Sequence, residues 1–205
     1  MNRIQEKRFE ANYSEFSEVN EMKELSLNIL DIAQNSVKAG ADTVKIVVDE
    51  SSDRIVITIS DNGCGMKKDF LDSVTDPFTT TRTTRKVGLG IPLLMLAAEQ
   101  TGGKLEISSR HKDEFPDNHG TEISASFNKN HLDFTPLGDV VSTVTVLIQG
   151  QPQIRWIYKH NTEKGVISLD TDELKAVLGD VPLDNFEVIE WIDGYLREQY
   201  SESGY

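Results

Sequence analysis

An alternating run that stops abruptly on a glycine-rich turn is the strongest constraint in this sequence. Residues 54–60, Arg-Ile-Val-Ile-Thr-Ile-Ser, alternate and branch at the β-carbon like a strand. Asp61-Asn62-Gly63-Cys64-Gly65-Met66 follows at once, so Asp61 stands where the strand ends and the backbone turns. Gly63 and Gly65 permit that turn and let the backbone approach a flat ligand with no Cβ in the way. A carboxylate at such a strand end can accept a hydrogen bond from an exocyclic amine, the group that separates adenine from guanine. A plain strand followed by an Asp-Asn-Gly turn needs the same residues, and on this stretch alone both readings stand.

Upstream, residues 25–39 read as a helix. At about 100° per residue, Leu25, Ile29, Ile32, Ala33, Ser36 and Val37 gather on one side, and Asn28, Asp31, Gln34, Asn35 and Lys38 on the other. The first set predicts packing on a sheet. The second set is short of the mixed Glu and Lys of a solvent face and rich in mediocre helix formers, which points to a ligand-facing stripe. Gly40 ends the helix, and strands are expected at 43–49 and 54–60 around the turn 50–53.

Downstream, Asp76-Pro77-Phe78 leads into Thr79-Thr80-Thr81-Arg82-Thr83-Thr84-Arg85-Lys86-Val87, a basic, hydroxyl-rich run in an acidic chain. Such residues suit phosphate oxygens and a mobile cover, and an exposed loop is the competing reading. Gly88-Leu89-Gly90 then opens an apolar helix with Pro92 in its first turn, ending near Gly102-Gly103. Amides exposed at such a helix start favour phosphate. Strands near 104–110 and 120–127 complete a sheet, the second opening with Gly120-Thr121.

Residues 131–205 read as an attached acidic module, with 5 Lys or Arg against 13 Asp or Glu. Residues 139–149 have helical spacing between Asp139 as cap and Gly150 as stop, although valine and threonine prefer strands. A hairpin (153–159, 165–169), a short helix after Asp170-Thr171 and a final helix over 184–199 follow. The formal charge of −13 argues against nucleic-acid or anionic-membrane binding. One cysteine excludes an intrachain disulfide framework and a zinc ribbon; Cys64 itself reads as a small buried filler inside the turn rather than an oxidation-sensitive thiol. No membrane span or signal peptide is legible, so a cytoplasmic protein is expected.

Three motifs in order, Asp31-Ile-Ala-Gln-Asn35-Ser-Val-Lys38, Asp61-Asn-Gly-Cys-Gly65 and a basic segment closed by Gly88-Leu-Gly90, with Gly120-Thr121 beyond, resemble the GHKL ATPase superfamily and its histidine-kinase-like members. The resemblance covers about residues 23–128. It implies an α+β, Bergerat-fold two-layer α/β sandwich, helices on one face of a mixed sheet, with an N-terminal arm (1–22), an ATP-binding domain (23–130) and a small α+β extension (131–205). It implies ATP and magnesium as cofactors. Asn35 would coordinate Mg²⁺, Asn28 two turns earlier on the same helix would belong to the nucleotide site, and Lys38 would bind phosphate. Asp61 would take the adenine amine together with Thr121, and Gly63, Gly65 and Met66 would line the base. Phe78, Thr79, Thr80, Thr81, Arg82, Thr84, Arg85, Lys86, Val87, Gly88, Leu89 and Gly90 would form the lid and its phosphate-binding amides.

Asp31 departs from the pattern. Self-sufficient ATPases of the superfamily usually carry glutamate there and sensor kinases a second asparagine, so aspartate is either a general base or an aid to holding magnesium. No acceptor-bearing helical hairpin is legible ahead of the domain. His111, His119, His131 and His160 all follow the nucleotide motifs and read as surface histidines in loops or at element ends. The reading is therefore a Mg-ATP-binding protein acting on or with an unidentified protein partner, by way of residues 131–205. An autonomous ATPase, an anti-sigma-type serine kinase and a nucleotide-sensing module are the alternatives. The tail, including Pro136-Leu-Gly138-Asp139, is also similar to small stand-alone ATP-binding proteins of anaerobic bacteria encoded beside iron-hydrogenase genes, which implies an accessory role in redox metabolism.

Overall fold

The computed structural model describes residues 24–75 and 90–205. Its elements are α1 (Leu25–Lys38), β1 (Thr43–Glu50), β2 (Arg54–Asp61), α2 (Lys68–Thr75), α3 (Gly90–Gln100), β3 (Lys104–Arg110), β4 (Gly120–Asn128), α4 (Val140–Gly150), β5 (Arg155–Thr162), β6 (Gly165–Asp170), α5 (Thr171–Leu178) and α6 (Phe186–Glu202). The strands form one sheet in the order β3-β4-β2-β1-β5-β6. All neighbours are antiparallel except β1 and β5, which run parallel. This is the expected α+β sandwich.

Period-two burial fixes the register, because slipping any strand by one residue would turn its apolar set to water. Val44 lies opposite Trp156, Ile46 opposite Tyr158 and Ile59, and Ile57 opposite Ala125. All are buried, so one face of the sheet carries the core. α1 packs on β1 and β2, α3 on β3 and β4, α5 on β5 and α6 on β6, while α4 fits between α1 and α6. The strands and helices of 131–205 thus share both sheet and core with the first part of the chain.

α1 has no side-chain cap at its start. Its first two free amides are met by backbone instead: Leu25 N–H donates to the Pro136 carbonyl at 2.9 Å and Ser26 N–H to that of Leu137 at 2.8 Å. Gly138 follows with φ +76°, and a Cβ there would fall 2.2 Å from Glu24 Oε2. Asp139 then caps α4 by accepting from Ser142 N–H at 3.0 Å, and it also meets Arg197 of α6 at 3.2 Å. The Pro-Leu-Gly-Asp stretch is therefore the junction of three helices.

His160 corrects the expectation of four surface histidines: it sits inside β5 and is fully buried. Its Nε2 is 3.0 Å from Glu50 Oε2, and its Nδ1 2.8 Å from the Tyr200 hydroxyl. At the β6 edge, Gln199 accepts from Ser168 N–H at 3.0 Å and donates to Ser168 O at 3.2 Å. Among the described residues no helix is long and apolar enough to cross a membrane.

Candidate functional site

The turn after β2 is held from three sides. Within it, Gly63 N–H donates to Asp61 Oδ1 at 2.8 Å. From α1, the Ser36 hydroxyl donates to Asp61 Oδ2 at 2.7 Å, and the carbonyl of Ala39, the residue that caps its C-terminus, accepts from Cys64 N–H at 2.9 Å. From the β3–β4 connection, Lys112 N–H donates to Cys64 O at 2.9 Å and His119 Nδ1–H to Gly63 O at 2.6 Å. Each Asp61 oxygen therefore accepts one bond and keeps a second acceptor direction.

Asn62 anchors the other flank. Its side-chain oxygen accepts from the Asp42 and Thr43 amides at 3.1 and 3.0 Å, and its amide donates to Asp42 Oδ1 at 2.6 Å. The hydrogen bond from Asn62, helped by Thr43, holds the Asp42 carboxyl below the usual carboxylate range.

Two glycines in this region meet backbone too closely for any side chain. Gly65 has φ +68°, and a Cβ there would lie 2.0 Å from the Arg110 carbonyl; one on Gly120, at φ +139°, would lie 2.0 Å from the Asp61 carbonyl. Thr121 is the cross-strand neighbour of Asp61. Its hydroxyl is 2.9 Å from that of Ser109, which also accepts from Met66 N–H at 2.7 Å. A continuous polar seam thus runs from Asp61 across β4 to β3 and back to Met66. Met66 is half-buried against the core.

Along α1, Asp31 and Lys38 are exposed and Asn35 half-buried. Asn28 lies deeper than the polar stripe to which its spacing assigned it, at 3% exposure. Gly90 opens α3 against Asp31: a Cβ on Gly90 would come within 3.1 Å of the Asp31 Cβ. Asp31 therefore stands beside the positive end of a helix. Cys64 is half-exposed, not buried as its size suggested. Phe78, Thr79, Thr80, Thr81, Arg82, Thr84, Arg85, Lys86, Val87, Gly88 and Leu89 lie outside the described residues.

Sequence reasoning missed Ser36, Asn62, Ser109 and His119. Of these, Ser36 left only a faint signal: a hydroxyl on an otherwise apolar helix face needs a partner, but nothing local says which. No group of three or more His, Cys, Asp or Glu poised for a metal occurs among the described residues.

Curated relatives match over parts of the chain. A protein of Rickettsia conorii named as an NtrY-like sensor histidine kinase is 23% identical over 130 residues, covering 62% of this chain and 20% of that protein. Sporulation kinase A of Bacillus subtilis is 29% identical over 110 residues, 54% of this chain and 17% of the kinase. The chain spans a fifth or less of the length of these relatives. Among solved structures, the MutL ATPase domain of Aquifex aeolicus complexed with ADP matches at TM-score 0.46 and 14% identity, over 73% of this chain and 66% of that one. The model of the histidine kinase-, DNA gyrase B- and HSP90-like ATPase family matches residues 21–131, a stretch that holds the α1 stripe, the β2 turn and strands β1 to β4, and this chain belongs to that family.

Proposed function

We propose that the chain binds Mg-ATP where α1, the β2 turn and β4 meet, and acts with a partner protein that accepts the phosphoryl group. The observation that supports it best is Asp61: a carboxylate oriented by Ser36 and Gly63, with open acceptor directions and Thr121 beside it. Such a group selects adenine over guanine, because guanine presents a carbonyl where adenine presents an amine. Gly63, Gly65 and Met66 would line the base. Asn35 supplies an oxygen donor one turn from Asp31, and the pair suits Mg²⁺, which takes few protein ligands and keeps several waters. Lys38, the lid residues 78–89 and the α3 amides from Gly90 would hold the phosphates. Residues 23–130 would form the ATP-binding domain and 131–205 an extension serving the partner, in a cytoplasmic regulatory or redox-accessory role.

Calorimetric titration with Mg-ATP and Mg-GTP tests the base. Binding of ATP alone, lost in Asp61→Asn, is expected; equal binding of GTP would overturn the assignment. The contact of Asp31 with the start of α3 favours a second reading, unaided hydrolysis with Asp31 as base. Phosphate release by wild type, lost in Asp31→Asn with ATP binding intact, would establish that reading; tight binding without turnover would return the weight to the partner.

A further inference from the structure

Trp191 and Tyr195 lie one turn apart on α6, their rings stacked at 4.9 Å with an interplanar angle of 10°. They are nevertheless 51% and 37% exposed, and Val177 of α5 is 85% exposed. With Leu174 these residues line one groove between α5 and α6, along β5 and β6. The core does not require the aromatic pair, because α6 already buries Val188, Ile192 and Leu196. Clustered, solvent-exposed aromatic side chains are what binding surfaces use as anchors.

Charge selects the occupant. On α6 the pair is bracketed by exposed Glu187, four residues before Trp191, and exposed Glu198, three after Tyr195; Glu173 lines the groove from α5. Nearby cations are already engaged: Arg155 with Asp170 at 2.6 Å and Arg197 with Asp193 at 2.7 Å. Among the described residues, Lys159 is the one basic residue lining the groove. A second copy would bring the same −13 charge and the same carboxylates, so like charge opposes self-association.

We propose that the α5–α6 groove docks a basic, apolar-containing peptide segment of a partner protein. Its Lys or Arg side chains would sit against Trp191 and Tyr195 through cation–π contact and pair with Glu187 and Glu198, and its apolar side chains would cover Val177 and Leu174. Docking here asks nothing of the Asp61 turn, so it stands apart from ATP binding.

The test is titration of the full, nucleotide-free chain with a short synthetic amphipathic peptide of leucine and lysine, and with its leucine–glutamate counterpart, followed by tryptophan emission. Trp156 is 2% exposed, which leaves Trp191 as the reporter. The basic peptide is expected to shift emission to the blue, with an affinity that falls as salt rises. By calorimetry, Trp191→Ala and Tyr195→Ala should each weaken it about tenfold or more. Glu187→Gln with Glu198→Gln should also weaken it, while Glu99→Gln with Glu106→Gln, the same charge change on α3 and β3, should not. Equal weakening by the two carboxylate pairs would reduce the effect to net charge and overturn the proposal. So would unchanged affinity in the aromatic variants, a shift with the acidic peptide, or a shift on raising protein concentration alone. Circular dichroism checks that each variant is folded.

Discussion

Asp61 draws its orientation from Ser36, a residue 25 positions earlier on another element. Ser36→Ala removes one hydrogen bond to a charged acceptor, and stability should fall by roughly 1.5–3 kcal/mol in urea denaturation. Nucleotide affinity should fall with it, since Asp61 then keeps only the Gly63 amide. Gly65→Ala acts differently: the left-handed backbone costs about 1–2 kcal/mol, and the new Cβ must displace the Arg110 carbonyl, so a loss above about 2 kcal/mol is expected. Asp61 and its glycines were legible because alternation stops abruptly there and the turn chemistry is local. Ser36 was not: a small hydroxyl among apolar residues looks like filler until its distant partner is known. The half-exposed Cys64 and the buried Asn28 failed for the same reason, since burial depends on what covers a residue and helical spacing gives only its direction.

Helix α4 shows local preference losing to packing. Its valines and threonines favour strands, yet Val140, Val141, Val144, Leu147 and Ile148 are buried between α1 and α6, and Asp139 caps the start. Asp139→Ala should cost about 1 kcal/mol by thermal or urea unfolding. The eight-residue helix α2, Lys68–Thr75, escaped reading because so short an amphipathic run is masked by its polar surroundings. The parallel pairing of β1 with β5 left no local mark either, as the two strands are far apart in sequence.

At that pairing, hydrogen-bond directions are fixed. A carboxylate only accepts, so His160 donates through Nε2 to Glu50, and its neutral Nδ1 accepts from Tyr200, which accepts in turn from Tyr158. Protonating His160 would take away the acceptor for the Tyr200 hydroxyl. Burial pushes the His160 pKa down, with Glu50 opposing, so the folded state resists the proton. Its contribution to stability is complete above the ordinary imidazole value of about 6.5 and is lost as pH falls from there towards the lowered folded value. Burial raises the Glu50 carboxyl's pKa, but hydrogen bonds from Lys129 and Tyr205 outweigh it and leave the pKa lowered, so its share is lost only in stronger acid. Melting temperature should therefore fall as pH drops below about 6.5, and His160→Gln should flatten that part of the profile.

At the scale of the whole molecule, β1 is an interior strand only because β5 lies beside it. Ending the chain at Gly150 would uncover that edge and strip Trp156, Tyr158 and Ile167 from the core. The shortened chain should lose its cooperative thermal transition in circular dichroism, nucleotide present or not. The sheet's two outer borders are also unlike. At β6 the Gln199 side chain offers Ser168 the same donor and acceptor that a further strand would, so at that residue the place of a seventh strand is already taken. β3 carries the other border, with Lys104, Glu106 and Arg110 exposed along it. Edge-to-edge joining of sheets between molecules would therefore meet a charged border at β3 and, at β6, a strand whose Ser168 is already paired, two features that oppose growth into long fibres.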